Sequence, residues 1–190
     1  MIPFPDKKYK IIYADPPWEY KKSGGIKSAR GLQKKYYPFM TQDELISLPI
    51  HQISDKDCYL FMWATAPTLP EAINLVRVWG FNYFTVAFTW IKTNKKSDSL
   101  FWGMGNSTRA NPEYVLLGRK GKLERAHKGI HSVFMGKLER HSKKPNEIRN
   151  RIEMLYGDIP RIELFAREKH AGWDVWGTEV ESDIILGENQ

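Results

Sequence analysis

The 190-residue sequence predicts an α/β fold, with a largely parallel sheet covered by helices. Short apolar runs of strand length alternate along the chain with segments whose apolar residues recur at helical spacing. Hydrophobic residues make up 42% of the chain. A chain of this length buries roughly 70% of its unfolded surface, which is enough for one sizeable core. No apolar run approaches the ~20 residues that a membrane helix needs.

The first two elements follow from their boundary residues. Residues 8–14 are predicted to form a strand, because the apolar run 11–13 is soon followed by two prolines. Thr41 and Glu44 fit a capping box, which opens a short helix that reaches about Leu48. Between these elements, residues 19–36 hold three glycines and six lysines or arginines and are predicted to be a loop.

The later elements alternate in the same way. Further strands are predicted at residues 59–64, 83–92, 114–117, 162–165 and 174–176. One helix begins near Pro70, which suits a first turn, and ends before Gly80. Another begins at Pro145 and ends at Gly157. Residues 93–112 are polar and contain glycine, so they are predicted to be a loop.

Charge and cysteine content restrict the function classes. The net charge of +7 and the pI of about 9.4 favour a polyanionic partner such as nucleic acid, although a merely soluble basic protein is the alternative. Cys58 is the single cysteine, which excludes an internal disulfide and a cysteine-rich zinc site. Three histidines in residues 119–144 match no metal-ligand spacing, and we expect no metal. The N-terminus lacks a signal-peptide layout, so we expect a cytoplasmic protein.

The motif Asp15-Pro16-Pro17-Trp18 directly follows the first predicted strand. Ligands of open α/β sheets bind outside the carboxyl ends of the strands. Each proline fixes its own φ and lacks an N–H, so the turn is stiff and rich in acceptors. These acceptors are the Asp15 carboxylate and the carbonyls of Asp15 and Pro16, with the flat face of Trp18 beside them. The alternative is a proline-rich strand end with a helix-capping aspartate.

This constellation suits a planar heterocycle that carries an amino group. The amino nitrogen of adenine is a poor nucleophile, because its lone pair is delocalised into the ring. Two acceptors around that nitrogen would bind both N–H groups and favour a pyramidal, more nucleophilic geometry. A tryptophan would hold the base by stacking, worth ~1–3 kcal/mol. Cytosine poses the same chemical problem and is the less favoured base.

Residues 11–18 resemble the catalytic motif of amino-group nucleic-acid methyltransferases. With its downstream segments, the chain is similar to the MT-A-seventy (MT-A70) family of S-adenosylmethionine-dependent adenine methyltransferases. The similar segments are residues 90–94, 113–118, 141–147, 162–167 and 172–177. Their order and joint presence make the resemblance specific over almost the whole chain.

The resemblance implies a Rossmann-like methyltransferase fold of about seven strands in a single domain, residues 1–190. The motif order would be circularly permuted, with the catalytic motif N-terminal and the cofactor-binding half C-terminal. The chain has no glycine-rich dinucleotide fingerprint. S-adenosylmethionine contains no pyrophosphate that would need one.

The resemblance also implies a set of cofactor-binding residues: Asp15, Lys144, Glu163, Arg167, Thr178 and Glu179. Lys144 would face the cofactor carboxylate. The alternatives are one more lysine in a basic stretch for Lys144, and a structural salt bridge for Glu163 and Arg167. Thr178 stands where the family usually has asparagine, and a hydroxyl can replace only part of the bonding of an amide.

On the substrate side, Trp18 would stack on the target base and Tyr37 would line its pocket, although such aromatics are more often simple core. Glu113 aligns with a family acidic residue near the substrate, with a strand-edge charge as the alternative. Aromatic residues at 101–106 indicate a nucleic-acid contact or a lid, with core packing as the alternative. The basic stretches are predicted to contact phosphates, including Lys21, Lys22, Lys34, Lys35 and residues 119–144.

The sequence therefore predicts methylation of the N6 amino group of adenine in DNA, since a short stand-alone chain most resembles bacterial and phage members of the family. Adenine in RNA is the first alternative. A non-catalytic nucleic-acid-binding relative is the second, although the intact motif argues against it. The chain leaves no room for a separate target-recognition domain. The target sequence would then be recognised by loops or by a second subunit, either in a homodimer or in a complex with another chain. Otherwise the protein would have little sequence specificity.

Overall fold

The computed structural model describes residues 7–18, 39–105, 107–138 and 143–186. Seven strands form one sheet: β1 (Tyr9–Ala14), β2 (Ser54–Ala64), β3 (Asn82–Thr93), β4 (Pro112–Lys120), β5 (Val133–Lys137), β6 (Arg161–Leu164) and β7 (Asp174–Trp176). Their order is β5-β3-β4-β2-β1-β6-β7. β4 runs antiparallel to its neighbours β2 and β3, and every other adjacent pair is parallel. The predicted α/β fold with a mostly parallel, seven-stranded sheet is confirmed.

Four α-helices accompany the sheet in the described residues: α1 (Gln42–Ser47), α2 (Ile50–Ile53), α3 (Leu69–Val78) and α4 (Glu147–Tyr156). The predicted capping box is present, because the Thr41 hydroxyl accepts from the Glu44 backbone N–H and the Glu44 carboxylate accepts from the Thr41 N–H. α3 and α4 are followed by Gly80 and Gly157, with φ of 89° and 72°. Glycine adopts these left-handed values without strain, so both predicted helix ends are confirmed.

The core lies on both faces of the sheet, because successive strand residues point to opposite sides. In β1, Ile12 packs in the cluster that includes Leu75 and Val76 of α3. Its neighbour Ile11 packs in the opposite cluster, with Ile148 and Ile152 of α4. The central strands are therefore apolar at nearly every position and rigidly held, which fixes the positions of the residues that follow them.

Several element boundaries differ from the predictions. β2 begins five residues earlier than expected, at Ser54, and β4 extends to Pro112 and Lys120. β6 ends at Leu164, one residue short of the predicted strand. The strand β5 and the helix α2 were not predicted. β5 is a sheet edge whose residues alternate between exposed and half-buried, so its apolar signal is weak within a basic stretch.

The directions of the strands decide where the functional residues meet. The carboxyl ends of the six mutually parallel strands lie at one edge of the sheet, called here the carboxyl edge. The antiparallel β4 begins at this same edge, so its first residues join the last residues of the others. No helix among the described residues is long and apolar enough to cross a membrane.

Candidate active site

The motif 15–18 forms a tight turn at the carboxyl end of β1. The Trp18 backbone N–H donates to the Pro16 carbonyl at 2.8 Å, and the Met40 N–H donates to the Pro17 carbonyl at 3.3 Å. The Pro16 carbonyl, predicted as an acceptor for the substrate, thus already accepts one hydrogen bond. Because a carbonyl has two lone pairs, one remains for a ligand.

Trp18 is held mainly by the protein itself. Its side chain packs within the core cluster on one face of the sheet and is 8% exposed. Its indole N–H donates to the Trp63 carbonyl at 3.1 Å. The ring therefore anchors the turn to β2, and its stacking on a substrate base stays a prediction.

A chain of four alternating charges lies at the carboxyl edge. Lys144 Nζ is 3.0 Å from Asp15 Oδ2 and 3.4 Å from Glu113 Oε2. Lys92 Nζ, at the end of β3, is 3.1 Å from Glu113 Oε1. All four side chains retain between 13% and 20% of their exposure. The sheet thus brings together three predicted site residues from distant parts of the sequence.

This environment shifts the pKa values of the Asp15 and Glu113 carboxyl groups in opposite directions. Burial raises the pKa of Asp15, and the Glu113 charge adds to this, while Lys144 and Arg167 offset part of it. Burial also opposes ionisation of Glu113, but Lys144 and Lys92 together outweigh it and hold the pKa of that carboxyl below its ordinary value. Asp15 therefore takes up a proton more readily than an exposed aspartate, whereas Glu113 is held ionised.

An aromatic ring lies against the Lys144 side chain. Its Nζ lies 5.4 Å from the centroid of the Trp63 ring, within the range of a cation–π contact. The Trp63 indole N–H donates to the Tyr13 hydroxyl at 2.5 Å, and both rings are buried. The position of Lys144 is thus defined by two carboxylates and by a rigid ring below it.

Glu163, on β6, forms a buried bidentate ion pair with Arg149 of α4. Arg149 Nε and Nη2 donate to the two carboxylate oxygens at 2.6 and 2.9 Å, and both side chains are 8% exposed. The Asn146 side-chain oxygen accepts from Arg149 Nη1 at 2.7 Å. Burial raises the pKa of Glu163, Arg149 opposes the rise and Asp15 adds to it. The salt-bridge alternative for Glu163 is therefore present, and its cofactor contact stays a prediction.

Residues after β6 and β7 lie against each other. The Ala166 N–H donates to the Trp176 carbonyl at 3.0 Å. A Cβ on Gly177 would lie 2.2 Å from the Ala166 carbonyl oxygen, so only glycine permits this approach. Phe165 adopts a φ of 61°, which is rare for a residue with a side chain, and its ring centroid is 5.4 Å from that of Trp176. Such strained positions concentrate at functional sites.

The last three predicted cofactor residues border this contact. Arg167 Nε lies 3.5 Å from Glu179 Oε1, and both side chains are partly exposed. Thr178 is exposed just beyond β7. These side chains reach solvent next to the strained Phe165, so a ligand could approach them.

Comparison with known proteins adds a decisive observation to this geometry, since the model of the MT-A70 family matches residues 9–179. The chain belongs to the MT-A70 family. It is 36% identical over 200 residues to the Type II methyltransferase M.MunI of Mycoplasma sp, an alignment that covers 95% of this chain and 82% of the relative. It is 27% identical over 183 residues to the human N(6)-adenosine-methyltransferase catalytic subunit METTL3, covering 94% of this chain and 29% of METTL3. The chain thus spans less than a third of METTL3.

For a member of the MT-A70 family, the described structure adds two charged residues to those that the resemblance implied. Lys92 and Arg149 each hold a predicted carboxylate, Glu113 and Glu163 respectively. Lys92 gave a weak signal, as a lysine at the end of an apolar strand. Arg149 gave none, because its partner lies fourteen residues away on another element.

Some predicted residues belong to segments outside the described part of the chain. Lys21, Lys22, Lys34, Lys35 and Tyr37 lie outside the described residues, and so does His141. Within residues 7–18, 39–105, 107–138 and 143–186, no group of three or more His, Cys, Asp and Glu is arranged to hold a metal ion. The described part of the candidate site therefore consists of the charge chain, the Arg149–Glu163 pair and the segments after β6 and β7.

Proposed function

We propose that the protein transfers the methyl group of S-adenosylmethionine to the N6 amino group of adenine in DNA. The observation that carries this proposal is the motif 15–18 at the carboxyl end of β1, with the Asp15 carboxylate 3.0 Å from Lys144. The two relatives support it, since M.MunI is a Type II methyltransferase and METTL3 is an N(6)-adenosine-methyltransferase.

The residues at the carboxyl edge fit S-adenosylmethionine by charge. The cofactor carries a carboxylate and two cationic groups, an ammonium and a sulfonium. Lys144 and Arg167 are cations suited to the carboxylate, and Asp15 is an acceptor suited to a cation. Glu163 would bind ribose hydroxyls through the lone pairs that Arg149 does not use. When bound, the cofactor supplies a methyl group on a positively charged sulfur.

The chain itself contributes mainly orientation. The Asp15 carboxylate and the free lone pair of the Pro16 carbonyl would accept the two hydrogens of the target amino group, which favours a nucleophilic geometry at nitrogen. A raised pKa suits Asp15 to take the proton that the amino group loses, with water as the other acceptor. Glu113, held ionised by two lysines, would fix Lys144 while this occurs. Positioning of this kind accounts for a large part of enzymatic rate enhancement.

The comparison with the two relatives favours DNA as the substrate. The alignment spans 82% of M.MunI but only 29% of METTL3, so the chain resembles the short bacterial relative over most of its length. The similarity to METTL3 keeps adenine in RNA as the second candidate. The net charge of +7 suits both, because both substrates carry phosphates. In either case the target base would be flipped out of a duplex or presented from a single strand.

The test is transfer of a labelled methyl group to matched DNA and RNA oligonucleotides, single- and double-stranded, followed by digestion and identification of the labelled nucleoside. We expect N6-methyladenine in DNA. A product in RNA alone would move the assignment to the second candidate, and a methylated cytosine would show that the base is wrong.

Two controls accompany the transfer assay. Asp15→Asn should be nearly inactive under the same conditions. Calorimetry should detect binding of S-adenosylmethionine and of its demethylated product. The absence of any heat of binding, together with the absence of methyl transfer, would remove the methyltransferase proposal altogether.

A further inference from the structure

The connection between β3 and β4, described at residues 94–105 and 107–111, exposes large apolar side chains at alternate positions. We call it the β3–β4 finger. Leu100, Trp102 and Met104 are 48%, 72% and 90% exposed. Both of its ends lie at the carboxyl edge, since β3 finishes there and β4 begins there. The finger therefore extends from the same edge as Asp15.

Hydrogen bonds and close backbone packing give the finger a defined shape. At its base, the Phe101 N–H donates to the Lys92 carbonyl at 2.9 Å. Farther out, a Cβ on Gly103 or Gly105 would lie 2.1 Å from a carbonyl oxygen of the returning segment, at Ala110 and Thr108 respectively. Only glycine allows the two segments to come this close. The exposed Trp102 thus belongs to an ordered element.

A cation lies against the exposed indole. The Arg109 guanidinium carbon is 4.9 Å from the centroid of the Trp102 ring. Lys95 and Lys96 are exposed on the same finger, where Asp98 is the one acidic residue among the described positions. An exposed aromatic ring surrounded by cations is the combination that binds single-stranded nucleic acid, because bases stack on the ring and phosphates pair with the cations.

The base of the finger is connected to the charge chain of the active site. Lys92 Nζ lies 5.8 Å from the centroid of the Phe101 ring and 3.1 Å from Glu113 Oε1. Glu113 in turn contacts Lys144, the partner of Asp15. A strand whose target base reached Asp15 would therefore pass the base of the finger.

We propose that the β3–β4 finger binds the strand beside the target adenine, with one unpaired base stacked on Trp102 and a phosphate on Arg109. The proposal rests on the proposed function for its substrate class, and it names a contact outside the reacting centre. The finger would hold the strand while the target base occupies the pocket, so its loss weakens binding of the oligonucleotide more than the chemical step.

The experiment measures the affinity of the full chain for a fluorescein-labelled, adenine-containing single-stranded DNA by anisotropy. Trp102→Ala should weaken binding about tenfold, the loss expected from one stacked base. Trp102→Phe should keep most of the affinity, because a ring is retained. Phe84→Ala is the matched control, since Phe84 is 56% exposed under Arg119 but lies near the opposite edge of the sheet. It should bind like the wild type.

Three results would overturn the proposal: unchanged affinity in Trp102→Ala, an equal loss in Phe84→Ala, or a wild-type dimer in sedimentation that Trp102→Ala dissociates without changing oligonucleotide affinity. The last would assign the finger to a second copy of the chain. Methyl transfer measured on the same preparations separates this inference from the proposed function. If binding depended on Trp102 but no methyl transfer occurred, the role of the finger would be supported and the methyltransferase proposal rejected. If methyl transfer occurred but binding did not depend on Trp102, the methyltransferase proposal would be supported and the role of the finger rejected.

Discussion

Lys144→Met tests the charge chain, because methionine lacks the amine of lysine but keeps an unbranched apolar side chain. The change leaves Asp15 and Glu113 without the cation that lies 3.0 and 3.4 Å from them. Removing one partner of a fully buried ion pair costs about 3–5 kcal/mol. These three side chains keep 15–20% of their exposure, so we expect the lower value, about 3 kcal/mol at neutral pH. For a chain of this length, that lowers the melting temperature by about 6–12 °C.

The loss of stability in Lys144→Met should depend on pH in a defined direction. In the wild type, the lowered pKa of Glu113 gives stability that is present at neutral pH and lost as the pH falls through the folded-state pKa. The raised pKa of Asp15 means that its ionised form lowers stability as the pH rises through the folded-state pKa. Lys144→Met removes a cation that lowers both pKa values, so the pKa of Asp15 rises further and the lowered pKa of Glu113 moves back upward. The difference in melting temperature between the variant and the wild type should therefore be largest near neutral pH and should decrease toward about pH 4.

The assay is thermal unfolding across this pH range, without cofactor. Lys137→Met is the matched control, since the Lys137–Asp98 pair is 56% and 93% exposed and such pairs contribute about 0–1 kcal/mol. Its melting curves should follow those of the wild type. If Lys144→Met unfolded at the wild-type temperature, or if its deficit were the same at every pH, the electrostatic account of the charge chain would be wrong.

Three further predictions concern the reaction, the cofactor half and the substrate. Asp15→Asn should lower turnover about 100-fold with little effect on substrate affinity, measured by steady-state kinetics with cofactor affinity checked on the same variant. Wild-type substrate turnover would refute the role of this carboxylate. Arg149→Met should lower the free energy of unfolding by about 3–5 kcal/mol in urea, because it leaves the buried Glu163 unpaired, and a change below 1 kcal/mol would contradict that pairing. Oligonucleotide affinity should fall steeply with salt on a log–log plot, and a flat plot would exclude phosphate contacts.

Local signals in the sequence were sufficient for some elements. The capping box of α1 was predictable because Thr41 and Glu44 are three residues apart and satisfy each other. The Asp15 turn was predictable because two prolines follow a short apolar run. β5 was not, since it is held in the sheet by long-range contacts, among them its pairing with β3 and the stacking of Phe134 on Trp90 at 6.5 Å.

The candidate site likewise combines residues that local sequence signals predicted with contacts that only the fold creates. Asp15, Glu113 and Lys144 were named from motifs, but their contact depends on the antiparallel direction of β4, which no local pattern specifies. Lys92 meets Glu113 because Trp90 is paired with Glu113 in the register of β3 and β4. Arg149 reaches Glu163 only when α4 packs across the sheet. Charged partners of this kind need the tertiary fold to be recognised.

The reversed direction of β4 also affects how this enzyme could change its target. Because β3 and β4 are antiparallel neighbours, the finger leaves and re-enters the sheet at one edge and crosses neither face. Lengthening such a connection costs little, about 0.6 kcal/mol for each doubling. The finger can therefore be exchanged for one of another length or composition while the strand ends that hold Asp15 and Glu163 stay fixed. Sequence preference could diversify there by replacement of a surface segment, with the chemistry inherited intact.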